Sequence, residues 1–131
     1  MTGPDYFTAD HVGGWDGRIY TRSIPDRVDW RELTRPLPCG NDVIPAGWQW
    51  NGASSGIARH LVIFSFPKWK HPIASCRHDW RCAHAKTKEQ RAFADKMFWI
   101  DVGRGGTKWE QAKGYAAVRL GAWFGLPRPK S

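Results

Sequence analysis

The stretch that decides the fold is Pro72-Ile-Ala-Ser-Cys-Arg-His78-Asp79-Trp-Arg-Cys82-Ala-His84-Ala-Lys-Thr87-Lys-Glu-Gln90-Arg-Ala-Phe-Ala-Asp95-Lys-Met-Phe98-Trp-Ile-Asp-Val102. Pro72 suits the first turn of a helix, where its missing N–H costs nothing, and no breaker follows from Ile73 to about Ala85. Thr87-Lys-Glu-Gln90 has the spacing of a capping box, so a second helix should start at Lys88 and end at Gly103 after Val102. Two helices joined by about two residues form an antiparallel hairpin. His78 stands nine residues before Thr87 and Asp95 eight after it. At the helical rise both lie about 12–14 Å from the turn, so they can face each other across the hairpin.

The wheel of the second helix gives that meeting a reason. Asp95 shares its face with Ala92, Phe98, Trp99 and Val102, and a carboxylate on an apolar face is costly without a partner. His78 is the candidate partner, while Asp79 points about 100° away on the same helix. A carboxylate that accepts from one imidazole nitrogen leaves the other free as a general base. A structural hydrogen bond in a hairpin core is the alternative use of the same pair.

Working outward, Gly105-Gly106 reads as a loop and Thr107 as the next cap, with Glu110 three residues on. A third helix should run to about Phe124, with Trp109, Ala112, Ala116, Leu120 and Trp123 on one face. Residues 126–131 form a tail with Pro127 and Pro129. Residues 1–70 are rich in Gly, Pro and β-formers. Arg18 to Ile24 alternates like an edge or hairpin strand. Asn41 to Pro45 reads as a short strand before an Ala46-Gly47 turn, and Leu61 to Phe66 suits a buried strand or core segment. The expected architecture is one α+β domain over 1–131. A small antiparallel sheet in the β-rich half (1–70) packs on three helices (71–125), and the Asn51-Gly52 loop approaches the His78 helix.

Composition narrows the partners. The 131 residues carry a net charge of +8, which favours anionic partners such as phosphates, phospholipid headgroups, nucleic acid or an acidic neighbouring subunit without choosing among them. The basic residues are scattered without a run of five, so nucleic acid is not the expected partner. Nine tryptophans divide between core and surface anchors for a partner. Three cysteines are an odd count, which argues against a disulfide framework. A zinc site from Cys76, His78, Cys82 and His84 is disfavoured, because those four cannot converge from one helix. His11, His60 and His71 have no readable partner spacing and are expected on loops or the surface. The N-terminus lacks the apolar run of a signal peptide, and no stretch approaches a membrane span.

These residues also carry a resemblance. Val43-Ile-Pro-Ala-Gly-Trp48, Asn51-Gly-Ala-Ser54, His78-Asp79, Ala94-Asp95-x-x-Phe98 and Tyr115-Ala-Ala-Val-Arg119-x-Gly121 occur in the order of a phage and prophage family. It is known as domain of unknown function 1353, and the likeness covers roughly residues 42–125. It implies a phage setting: a virion or host-cytoplasm location, with other phage structural proteins or an anionic phospholipid surface as partners. More distantly, the chain resembles the small secreted phospholipases A2 of bacteria and fungi, through Asn51-Gly-Ala-Ser54, Arg77-His78-Asp79 and Asp95-x-x-Phe98. That resemblance implies His78 as the base, Asp95 as its orienting acid, and calcium held by Asp79, the Asn51 side chain and the Gly52 carbonyl. The chain departs from these patterns at Asn51, where an acid is usual, and at Cys82, where a tyrosine would add a hydroxyl to the dyad network, and the disulfides of the phospholipases are missing.

Overall fold

The computed structural model describes residues 6–8, 18–28, 30–52 and 71–123. The expected segment at Leu61 to Phe66 lies outside them, as do Ser54, His11 and His60. Within them the chain forms β1 (Tyr6–Thr8), β2 (Arg18–Ser23), β3 (Arg31–Leu33), β4 (Leu37–Cys39), β5 (Asp42–Ile44) and β6 (Gln49–Trp50), then α1 (Pro72–His84), α2 (Lys88–Gly105) and α3 (Lys108–Trp123). This is the expected α+β class, a small antiparallel sheet region followed by three helices.

The sheet runs β1-β2-β3-β6, antiparallel at every step, and β4 with β5 makes a separate hairpin. β2 alternates as its sequence suggests, burying Ile19 and Thr21, yet it is an interior strand paired on both sides rather than an edge. The turn at Ala46-Gly47 needs its glycine, whose φ of 98° would strain any side chain. Backbone bonds from Leu33 N to Trp48 O and from Gly47 N to Leu33 O clip that turn to β3.

Each helix start is fixed by local chemistry. Pro72 occupies the first turn of α1. Thr87 Oγ1 accepts from Gln90 N at 3.0 Å, while the Gln90 side chain caps Lys86 N at 2.6 Å, one residue further back than a reciprocal box. At α3 the box is reciprocal: Glu110 N donates to Thr107 Oγ1 at 3.0 Å, and Thr107 N to Glu110 Oε1 at 3.2 Å. α2 continues through Gly103 and stops at Gly105, so only Gly106 is left as the break.

The orientation of α3 differs from the expected one. Among its described residues Glu110, Gly114, Ala117 and Val118 are buried, whereas Trp109 is 62% exposed and Ala112 is exposed. Small side chains let α3 lie close against α2, and His71, itself buried, takes Glu110 into the interior with Nε2 3.3 Å from Oε1. His71 is therefore a core residue, not a surface one. A Cβ on Gly106 would come within 2.8 Å of both partners, which is why a glycine stands there.

One core cluster joins sheet and helix: Ile19, Leu33, Leu37, Ile44, Trp48 and Trp50 with Ile73 and Cys76 of α1. Two indoles stitch the seam, Trp50 Nε1 donating to Ser75 Oγ and Trp48 Nε1 to Asp79 Oδ2, both at 3.1 Å. Because Ile44 has no exposed surface in this shared cluster, Ile44→Ala should cost about 2–5 kcal/mol. Urea unfolding followed by far-UV and tryptophan signals should show one coincident, weakened transition. A helical signal left unshifted while the tryptophan signal moves would refute the shared core.

Candidate functional site

The hairpin brings together the pair its spacing implied. His78 Nε2 lies 2.6 Å from Asp95 Oδ1, with Asp95 fully buried and the His78 side chain 15% exposed. The ring rests against Phe98, centroids 4.9 Å apart. Two further cations reach the same carboxylate: Arg91 Nε donates to Oδ1 at 3.2 Å and Arg119 Nη1 to Oδ2 at 2.7 Å. Asp95 thus ties all three helices together. Arg91 was legible as an i,i+4 partner on one helix; the contact from Arg119 crosses from α3 and has no local spacing signal.

Cys82, one turn beyond His78, places Sγ 3.4 Å from Nε2 and 3.9 Å from Nδ1. Burial pushes the imidazole pKa down, but the Cys82 sulfur and the Asp95 carboxylate outweigh it and raise His78 to about 9. His78 is therefore shifted towards its protonated form, with Nε2 facing Asp95.

Asp79 faces the other way, into the seam with the sheet. Its Oδ2 accepts the Trp48 indole N–H, and its Oδ1 is buried with no hydrogen-bond partner among the described residues. Burial lifts its pKa to about 7, opposed by His78 and by the Trp48 bond. A calcium ion takes six to eight oxygens. Among the described residues Asp79 offers one open oxygen, its other is committed to an N–H, and no hydrogen bond joins it to Asn51 or Gly52. Gly52 is buried and turns at φ 74° just after β6. That open oxygen is the one calcium donor the structure describes at Asp79; the full set with the Asn51 side chain and the Gly52 carbonyl is what the resemblance implies.

A second buried carboxylate sits two turns along α2. Asp101 lies 3.1 Å from Arg77 Nη1, 3.6 Å from Arg81 and 3.8 Å from Arg104. Arg77 also donates to Pro38 O at 3.0 Å, so the residue before His78 anchors the β4–β5 hairpin. Cys76 packs in the apolar core, and exposed His84 stacks on Trp80 at 4.0 Å, so neither joins His78 and Cys82 at one point.

Lys88, Arg91 and Arg119 line a cavity of about 470 Å³ with Ala116, Leu120 and Ala122, and two of these cations, Arg91 and Arg119, also hold Asp95. The apolar stripe of α3 that was expected to face the core partly lines this cavity instead. The fold and this pair define the class: an α+β domain with a buried His–Asp pair in a helical hairpin. No family model, curated protein or solved structure matches the chain.

Two pH effects follow from these environments. His78 has a folded pKa above its free value of 6.5, so its contribution is full below about pH 6.5 and lost as pH rises through about 9. That loss should be on the order of 3 kcal/mol, and His78→Gln should flatten it in urea titrations between those pH values. Asp79 is also raised, from 3.8 to about 7, so the fold favours its protonated form and loses stability as pH climbs between those values. Asp79→Asn should therefore be more stable than the parent at pH 8, by thermal melting. Equal or lower stability there would contradict the buried, strained carboxylate.

Proposed function

We propose that this is a phage-type protein acting at the host envelope as a phospholipase A2-like ester hydrolase, with His78 as base and Asp95 as its orienting acid. The observation that carries the proposal is the 2.6 Å contact between His78 Nε2 and Asp95 Oδ1 across the hairpin. With the ring neutral, Nε2–H donates to Asp95 and Nδ1 is left as the acceptor. Nδ1 would take a proton from water as its oxygen attacks the acyl carbon, then return it to the departing alkoxide. The net charge of +8 and the Lys88–Arg91–Arg119 cavity with its apolar wall support an anionic amphiphile as substrate. The family likeness in motif order supports the phage setting, with an anionic phospholipid surface or other phage structural proteins as partners.

A second reading is favoured by the charge around Asp95. Two arginines suffice to hold the buried Asp95 carboxylate without any catalytic use of His78, and the protein would then be a non-catalytic virion component.

The two part on one assay with vesicles of anionic phospholipid. The hydrolytic reading expects fatty acid release that climbs with pH towards about 9, as the imidazole frees its proton. It also expects His78→Gln to lose about 10²-fold or more while keeping its far-UV spectrum. A His78→Gln protein as active as the parent, or no release by the parent at any pH, sinks it. Stoichiometric recovery in purified particles would then support the structural reading.

A further inference from the structure

The proton held between His78 and Asp95 has a third neighbour that the dyad does not use. Cys82 and Asp95 both meet the same ring nitrogen: Sγ is 3.4 Å and Oδ1 2.6 Å from Nε2. A thiol-to-carboxylate relay through an imidazole needs its two partners on opposite nitrogens, which is not the arrangement here. The three donor atoms lie within 4.8 Å of one another. Convergence on one point is the geometry of a shared ligand.

We propose that His78, Cys82 and Asp95 form a binding site for a borderline-soft divalent metal, with zinc as the representative ion. The donor types fit it: one imidazole, one thiolate and one carboxylate are all zinc ligands, whereas a thiolate is a poor partner for calcium or magnesium. The distances fit too. Zinc bonds of about 2.3 Å to sulfur and 2.0–2.1 Å to nitrogen give a tetrahedral N···S edge of about 3.5 Å. The observed separation is 3.4 Å. The carboxylate has only to retreat by less than about 1 Å to make a similar edge.

His78 and Cys82 are four apart on α1, so one helix face presents both, and Asp95 closes the site from α2. Metal binding replaces the Cys82 thiol proton and the proton on Nε2, and the two resulting anions, thiolate and carboxylate, balance the divalent charge. Arg91 and Arg119 then act from outside the ligand set, fixing the carboxylate as outer partners of metal ligands commonly do. Three protein ligands leave a fourth position for water or another small ligand. The inference does not depend on the hydrolytic reading. If that reading holds, zinc removes the Nε2 proton that points the ring and should suppress ester hydrolysis.

The test uses the full chain and the metal alone. Zinc chloride competed against a chromophoric chelator should show one site per chain. Cys82→Ala should bind at least tenfold more weakly, while Cys76→Ala, which alters a thiol buried in the apolar core, should bind like the parent. Cobalt should give the visible bands of a tetrahedral ion together with a thiolate charge-transfer band, and that spectrum decides the matter even if a variant fails to fold. No binding by the parent, unchanged affinity in a folded Cys82→Ala protein, or a cobalt spectrum without the thiolate band would each overturn the site.

Discussion

A carboxylate with no exposed surface has to be neutralised where it sits, and Asp95 is neutralised by three helices at once. His78 comes from α1, Arg91 from α2 itself and Arg119 from α3. Leaving such a charge unpaired in the interior would cost far more than any single contact in the helical unit supplies. The observed packing of the three helices delivers a partner to Asp95 from each of them. Small buried residues on two of the helices, Ala94 on α2 and Gly114 and Ala117 on α3, suit that close approach.

The same device recurs at Asp101, where Arg77, Arg81 and Arg104 converge. In both places the cations outnumber the acid. Part of the chain's net positive charge is thus not a diffuse surface property but is concentrated around two interior anions on one helix. Burial pushes the Asp101 carboxyl up, and its three arginines pull it down. Burial likewise lowers Arg77, with Asp101 opposing. Because Arg77 also holds the Pro38 carbonyl, this second cluster carries the electrostatic framework of the helices into the β4–β5 hairpin.

The α1 helix mediates between the two halves by splitting its chemistry between faces. His78 and Cys82 look into the helical hairpin, while Ser75 and Asp79 take indole N–H groups from the sheet side. Adjacent residues 78 and 79 serve different neighbours because successive side chains on a helix diverge by about 100°. The tryptophans that make this seam, Trp48 and Trp50, are buried; Trp99 and Trp109 are exposed and available to a partner. Among the described residues no helix is long and apolar enough to cross a membrane.

The sequence by itself determined whatever depends on neighbours a turn away. That covers the three helix starts, the hairpin, the meeting of His78 with Asp95 and the Gly47 turn, since capping chemistry, helical rise and positive φ are local rules. Tertiary structure decided the rest. Large apolar residues mark out the Trp109 stripe of α3, but the side that packs inward carries Gly114, Ala117 and a Glu110 anchored by His71. Arg119 on Asp95 and Trp48 on Asp79 join residues 24 and 31 positions apart. Such contacts have no period to read along the chain; they exist only once burial forces each interior charge or polar group to find a partner across elements.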